Sequence, residues 1–244
     1  MRYKIELAYK GTNFHGWQRQ PNATSVQEVL ENAFKLIFKD NIELTGCGRT
    51  DTGVHAKYYL AHFDSNLKYS KDQVYKLNSF LNNDIVIFNI EETSDDFHAR
   101  FDAVWREYEY LICIRKDPFL NEFSWQIKFM PDIEKITLAA NQLLNYNDFT
   151  SFSKLHTDVK TNNCKILKAE FTLDRHIIKF NIRADRFLRN MVRAIVGTLI
   201  DVGSGKITVE DFCRIIESRD RSQAGQSAPA QGLHLIYVCY SKDV

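Results

Sequence analysis

Several residue types that mark other classes of protein are scarce or unpatterned in this chain. Its 244 residues include only 10 glycines and 4 prolines, which excludes a low-complexity or proline-rich linker. No apolar stretch is long enough to cross a bilayer, and no signal-peptide pattern follows Met1. The five cysteines form no Cys-x-x-Cys pair and the histidines are scattered, so no zinc pattern is present. We therefore expect a cytoplasmic protein with reduced thiols, without a membrane segment.

An excess of charge of one sign is also lacking, because the formal net charge is only +1. A basic field over the whole protein is therefore excluded, and any polyanion must be bound by a local patch. Aromatic residues make up 13% of the chain, which is compatible with base stacking, although core packing is their commoner use. The length allows one large domain or two small ones, with a substantial core.

Hydrophobic periodicity predicts the same order of elements in both halves of the chain. The predicted strands are 2–9, 41–45, 55–64 and 84–91 in the first half, and 106–115, 164–173, 176–184 and 233–240 in the second. The predicted helices are 25–38, which starts with a capping-box pattern of Ser25 and Glu28, and one that follows Ser70 and is capped by Ser70 and Gln73, then 132–145, 186–202 and 208–218. Long loops are predicted over 146–163 and 219–232. We expect an α+β protein with two βαββαβ-type, ferredoxin- or RNP-like domains (1–104 and 105–244), largely antiparallel sheets and a substrate cleft between them.

The densest signal for chemistry is the segment 46–56, Gly-Cys-Gly-Arg-Thr-Asp-Thr-Gly-Val-His-Ala. Its three glycines allow tight turns and a close approach of other backbone. A carboxylate on such a loop, here Asp51, can act as a nucleophile or a base. The commoner interpretation is a turn in which the aspartate makes local hydrogen bonds. A phosphate-binding loop is not indicated, because no Lys-Ser/Thr follows the second glycine.

Five more motifs accompany this loop. They are Tyr-Lys-Gly-Thr-Asn-Phe-His-Gly-Trp-Gln-Arg-Gln (9–20), Phe-His-Ala-Arg-Phe (97–101), Arg-Glu-Tyr-Glu-Tyr (106–110), Phe-Leu-Arg-Asn-Met-Val-Arg (187–193) and Ala-Pro-Ala-Gln-Gly-Leu (228–233). In this order, and over nearly the whole chain, they resemble the tRNA pseudouridine synthase A (TruA) family. Two departures are small: Lys10 stands where the family has aspartate, and Thr52 where alanine is commoner.

The resemblance implies an isomerase that converts uridine to pseudouridine in tRNA, with Asp51 as the nucleophile. It implies uridines 38, 39 and 40 of the anticodon stem-loop as targets, a homodimer, and no metal or nucleotide cofactor. The reaction breaks the C–N glycosidic bond, turns the uracil and joins C5 to the sugar. The carboxylate could attack C1′, add at C6 or remove a sugar proton to give a glycal, and the sequence leaves these routes open.

A nucleophilic aspartate must be ionised, and a nearby cation favours that state. The resemblance implies Arg193 as this cation. Arg186, Arg189 and Arg193 are spaced i, i+3 and i+7, so on the predicted helix 186–202 they share one face. The ordinary interpretation of such a face is that it is charged and solvated, with Arg186 and Arg189 meeting RNA phosphate or water.

Three more residues receive roles from the resemblance. Tyr108 packs on the target base, and it could also take the C5 proton, although a strand tyrosine is most often core. Arg49 stacks in the space left by a flipped-out uridine and binds phosphate, unless it forms a salt bridge within the loop. Leu233 lines the uracil pocket, unless it is ordinary core.

Two other functions remain as alternatives. One is a non-catalytic RNA-binding protein or tRNA chaperone, since repeated βαββαβ units can bind single-stranded RNA. The other is a carboxylate-dependent glycosidase. That enzyme would need a second, acid-tuned carboxyl group, and no motif position supplies one.

Overall fold

A computed structural model of the chain describes residues 1–154 and 161–240. These residues divide into two compact units. The first contains residues 1–104 together with the segment from Leu235 onward, and the second contains residues 105–234. In this division the last strand groups mainly with the first unit.

The first unit is built from a sheet and two helices. Its elements are β1 (Arg2–Tyr9), α1 (Val26–Phe38), β2 (Thr45–Gly46), β3 (His55–Asp64), α2 (Lys71–Phe80) and β4 (Ile85–Thr93). The strand order is β4-β1-β3, with β2 beside β3, and all of these pairs are antiparallel. The last strand, β9 (Leu233–Cys239), also neighbours β3. The elements of this unit follow the order β-α-β-β-α-β.

Local sequence signals account for most of the first unit. Alternate residues of β1 are buried, as expected for a strand with one face on the core. The side chain of Ser25 accepts a hydrogen bond from the N–H of Glu28 at the start of α1. Ser70 and Gln73 form the expected capping box of α2.

The predicted strand 41–45 is wrong except at its last residue. Side chains of α1 bind the backbone of this segment in place of a neighbouring strand. The N–H of Leu44 donates to the carboxylate of Glu31 at 3.0 Å, and its carbonyl accepts from the side-chain amide of Gln27 at 3.0 Å. The segment is therefore fixed to the helix, and only Thr45 and Gly46 pair with β3.

The second unit has the same general plan. Its elements are β5 (Trp105–Cys113), β6 (Trp125–Gln126), α3 (Ile133–Gln142), β7 (Ile166–Asp174), β8 (Ile177–Ala184), α4 (Met191–Gly203) and α5 (Val209–Ser218), followed by the start of β9. The strand order is β5-β8-β7 with antiparallel pairing, and the short β6 runs parallel to β5. The predicted α+β class with largely antiparallel pairing is confirmed.

The helix predicted over 186–202 begins five residues later, at Met191. Asn190 precedes it with a left-handed backbone (φ 67°), which interrupts helical continuity. Arg186 and Arg189 therefore lie in the preceding loop, and their placement on one helix face with Arg193 is wrong. The interpretation of α4 as a helix with a charged outer face is also wrong, because all its residues except Arg193 and Asp201 are buried.

The two predicted loops contain short ordered turns. Residues 155–160 of the predicted loop 146–163 lie outside the described residues. In the remainder, Phe149 and Phe152 are fully buried, so these aromatic residues are core. The segment 219–232 contains two 3-10 turns, Arg221–Gln223 and Ala230–Gly232. Across residues 1–154 and 161–240, no helix is long and apolar enough to cross a membrane.

We expect His62 on β3 to titrate far below an ordinary histidine. Its Nδ1 accepts the N–H of Ala99 at 3.1 Å. Burial, then the charge of Arg2 and the ring of His98, lower the pKa of the imidazole to about 4, against the opposing charges of Asp64 and Asp102. Since the unfolded chain has a pKa of about 6.5, it binds the proton more tightly. His62 therefore lowers the stability progressively as the pH falls from about 6.5 towards 4.

An NMR titration of the imidazole signals checks this expectation. The ring of His62 should stay neutral until about pH 4, while an exposed histidine such as His15 serves as the control in the same spectra. A midpoint near 6.5 for His62 would contradict it.

Candidate active site

Asp51 lies in the first unit, on the loop between β2 and β3. Its carbonyl oxygen accepts the N–H of Val54 at 3.1 Å, and Gly53 has φ of 80°. This is the positive φ that the third position of a type II turn requires. The expected turn is therefore present, and the Asp51 side chain at its first position is half-buried.

The N-terminal motif 9–20 packs directly on the backbone of this loop. A Cβ atom added at Gly16 would fall well within 3.0 Å of the carbonyl oxygen of Thr50, and one added at Gly11 would meet the carbonyl oxygen of Val54 in the same way. Only glycine permits this approach. Because Thr50 and Val54 lie on either side of Asp51, the two motifs form one structure.

Side chains of the first unit tie the loop down at further points. The hydroxyl groups of Tyr9 and Thr50 are hydrogen-bonded at 2.9 Å, and the hydroxyl of Tyr59 donates to the carbonyl of Gly48. The ring of Tyr59 stacks on Trp17, with centroids 4.1 Å apart. Tyr59 belongs to none of the motifs, and no spacing in the sequence marked it as a support for this loop.

His55 and Arg49 have different surroundings. His55 is buried, and its Nδ1 accepts the N–H of Gly11 at 3.0 Å, so it joins the N-terminal motif to the loop. Arg49 is exposed between Gly48 and Thr50. Its backbone neighbours are fixed, and its guanidinium side chain extends from a rigid support.

In the second unit, the two tyrosines of β5 differ. Tyr110 is fully buried, and its hydroxyl donates to the carbonyl of Pro229 at 2.7 Å. Burial raises the pKa of Tyr110 well above its ordinary range, and its contacts are those of a structural residue. Tyr108 is half-buried, and its ring meets Phe187 edge-on with centroids 5.1 Å apart.

Arg193 lies in the first turn of α4 and is half-buried. Its Nε donates to the carbonyl oxygen of Ala228 at 2.8 Å, and the N–H of Ala228 donates to the carbonyl of Arg193 at 2.9 Å. This reciprocal pair fixes the guanidinium group by one of its five N–H donors.

The segment 221–229 is held along α4 by several contacts. The carbonyl of Gln226 approaches Gly197 so closely that any side chain there would collide with it. The N–H of Gly225 donates to the hydroxyl of Thr198 at 3.0 Å. The hydroxyl of Ser227 accepts from Asn190 at 2.7 Å and from Arg221 at 2.9 Å. The predicted loop 219–232 is therefore the support that positions Ala228 against Arg193.

Leu233 is buried at the first position of β9. Gly232 before it packs against the ring of Tyr110. Arg193 lies close enough to Tyr110 for its charge to oppose the rise of the tyrosine pKa. The second unit thus brings Arg193, Tyr110 and the start of β9 together. Within the described part of the chain, no group of three or more histidine, cysteine or acidic side chains could hold a metal ion.

Comparisons with known proteins agree with the motifs. A family model described as tRNA pseudouridine synthase matches residues 7–102 and 139–241. A Bacteroides fragilis protein named tRNA pseudouridine synthase A is 50% identical over 100% of this chain and 98% of its own length. Relatives of the same name from Bacteroides thetaiotaomicron and Thermoanaerobacter pseudethanolicus are 49% and 42% identical, over 100% and 97% of this chain and 92% and 98% of theirs. The chain belongs to the tRNA pseudouridine synthase family, whose members are isomerases that act on uridine in tRNA.

Proposed function

We propose that this enzyme isomerises uridines 38, 39 and 40 in the anticodon stem-loop of tRNA, with Asp51 as the nucleophile and the target base flipped out. The observation that carries the proposal is the setting of Asp51. A half-buried carboxylate stands on a turn that the N-terminal motif holds backbone to backbone, through Gly11 and Gly16. Such rigidity favours a group that must meet its substrate in one geometry. We further propose a homodimer that works in the cytoplasm without a metal or nucleotide cofactor.

The proposed chemistry needs an ionised Asp51. Its carboxylate attacks C1′, adds at C6 or removes a sugar proton, and all three routes begin from the charged form. We assign Arg193 as the cation that favours this form. An arginine suits the role because it keeps its charge at all working pH values, and the Ala228 carbonyl fixes its Nε.

Tyr108 and Leu233 are proposed to hold the uracil. The edge-on contact with Phe187 limits rotation of the Tyr108 ring, which suits a surface on which a base packs. Its hydroxyl group could also receive the proton that leaves C5. Leu233 contributes an apolar wall, because it is fixed at the start of β9 next to Gly232.

Tritium release tests the proposal directly. The purified protein is incubated with tRNA transcripts that carry tritium at uracil C5, without added metal or nucleotide. Because C5 gains a carbon bond, its tritium must pass to water, and mapping of the modified residues then gives the positions. Release at uridines 38, 39 or 40 supports the proposal, and release at other positions only would contradict its specificity. Binding without release would indicate an RNA-binding protein, and liberation of free uracil would indicate a glycosidase.

Arg49 should matter most when the target uridine is paired. Flipping a base out of a helix costs a few kcal/mol, and less for a mismatched base. If Arg49 occupies the vacated space, we expect Arg49→Ala to lower kcat/KM by about 100-fold on a paired uridine, which corresponds to roughly 2.7 kcal/mol. On a transcript with a mismatch opposite the target, the loss should be about tenfold smaller. Single-turnover tritium release measures both values.

The matched control is Arg115→Ala, since Arg115 is also an exposed arginine. It should leave both substrates unaffected. An Arg49→Ala loss that is equal on paired and mismatched targets would mean that Arg49 has no part in flipping.

A further inference from the structure

The loop between β8 and α4, residues 185–190, lies in a concentration of positive charge. Five cations from four segments of the second unit make up what we call the basic cluster: Arg106, Lys154, Lys165, Arg186 and Arg189. The whole chain has a net charge of only +1. A near-neutral protein that binds a polyanion needs a local patch of this kind.

Hydrogen bonds bring these segments to the loop. The N–H of Lys154 donates to the carbonyl of Arg189 at 3.1 Å. Arg106 donates from Nη1 to the carbonyl of Asp185 at 2.9 Å. The N–H of Lys165 donates to the carboxylate of Asp185 at 2.8 Å. The cluster is therefore built by the fold, because residues distant in sequence converge on one loop.

Asp185 is the acidic residue within this loop, and its carboxylate accepts hydrogen bonds from backbone N–H groups. Its Oδ1 accepts the N–H groups of Lys165 and Arg186 at 2.8 and 2.7 Å. Among the described residues, Lys154, Lys165 and Arg186 form no ion pair. Lys154, Lys165 and Arg189 are exposed. The charges of Lys154 and Lys165 are thus presented to solvent.

The basic cluster adjoins residues that are proposed to act on the uridine. Phe187, in the same loop, contacts the ring of Tyr108. The loop leads into α4, where Arg193 lies in the first turn. A nucleotide chain whose base packs on Tyr108 would therefore have its backbone near this loop.

We propose that the basic cluster binds the phosphate backbone of tRNA beside the target uridine. Lys154, Lys165 and Arg189 contact phosphates, while Arg106 and Arg186 hold the loop. This inference rests on the proposed function and adds to it a location for the phosphate contacts. Binding of this kind is electrostatic and independent of sequence, and it releases counterions from the RNA.

The experiment measures tRNA affinity as a function of salt. The test protein is the triple variant Lys154→Ala, Lys165→Ala, Arg189→Ala. Each phosphate contact contributes roughly 0.7 to 0.9 to the slope of log K against log salt. The triple variant should therefore lose about 2 to 2.7 from this slope, and about 100-fold in affinity near 0.1 M salt. The KM of tritium release should rise by a similar factor, because the lost phosphate contacts bind substrate and transition state alike.

Two further variants make the result specific. The charge-matched control removes three exposed cations of the same unit that pair with neighbouring acids: Lys135→Ala, Lys206→Ala, Arg214→Ala. This control should change the slope of log K against log salt by much less than the triple variant does. A charge-retaining variant, Lys154→Arg, Lys165→Arg, Arg189→Lys, should keep the wild-type slope and also shows that the surface tolerates substitution.

The inference is overturned if the triple variant keeps the wild-type slope, or if the control loses as much. Failure of the inference about the basic cluster can be distinguished from failure of the proposed function. Wild-type tritium release with an unchanged slope in the variant would overturn only the basic cluster. A reduced slope in the variant without release by the wild type would support the cluster and contradict the enzymatic proposal.

Discussion

Replacing Asp51 with asparagine should lower the rate of tritium release by about 10⁴-fold or more, which is the scale on which loss of a catalytic nucleophile acts. Asparagine has the same size but cannot supply the negative charge that any of the three chemical routes needs. The turn should survive, because its hydrogen bond uses the carbonyl of Asp51 and the N–H of Val54. We therefore expect unfolding temperature and tRNA affinity to change little. Rapid-quench assays under single-turnover conditions measure the effect on the chemical step.

Two further variants serve as controls for this result. Asp51→Ala excludes activity that arises when asparagine is hydrolysed back to aspartate. Asp174→Asn, at an exposed position at the end of β7, makes the same chemical change away from the loop and should retain full activity. If Asp51→Asn kept a tenth of wild-type activity, the assignment of the nucleophile would be wrong, whereas membership of the family would stand.

The elements that could be predicted from the sequence are those that local signals fix. The strand β3 (His55–Asp64) was predicted with its observed bounds, because a run of strand-forming residues lies between clear breaks. The capping residues Ser25 and Ser70 marked the starts of α1 and α2. These signals depend on neighbours within about four residues, so they can be read without knowledge of the fold.

The failures arise where distant groups decide the backbone conformation. The segment 41–45 has the composition of a strand, yet Gln27 and Glu31 of α1 bind its backbone. The helix α4 begins late because Asn190 adopts a left-handed conformation, while the helical periodicity continues upstream without interruption. Neither effect can be predicted from the residue pattern of the segment itself.

In the candidate site, too, local sequence signals indicate some residues, whereas contacts between distant residues determine others. The glycine-rich loop drew attention to Asp51, and the motifs indicated Arg193. The role of Gly11 and Gly16 in packing against the loop could not be predicted from the sequence. The backbone that each approaches lies far along the chain, at Val54 and Thr50. Likewise, the segment that fixes Arg193 through Ala228 could only be predicted as a loop. Positioning residues are non-local, and their identification needs the fold.

Gly16 provides the sharpest test of this positioning. A side chain at Gly16 would meet the backbone carbonyl of Thr50, which cannot move aside by changing rotamer, and φ is +83°. We expect Gly16→Ala to lower the free energy of unfolding by roughly 3 to 5 kcal/mol, from backbone strain and overpacking together. For a chain of this size that is about 10 °C in unfolding temperature. Differential scanning calorimetry measures this shift.

The same substitution should lower kcat by more than the loss of stability explains. Because Thr50 precedes Asp51, a displacement of about 1 Å there moves the carboxylate, and an error of that size can cost about 100-fold in rate. The assay is run well below the unfolding temperature of the variant. Gly48→Ala is the matched control in the same loop, since a Cβ atom at Gly48 meets nothing within 4 Å and its φ is not positive. Gly48→Ala should keep both stability and activity, because a side chain at Gly48, unlike one at Gly16, would not meet the backbone beside Asp51. Wild-type kcat in Gly16→Ala would show that the N-terminal motif does not position the carboxylate.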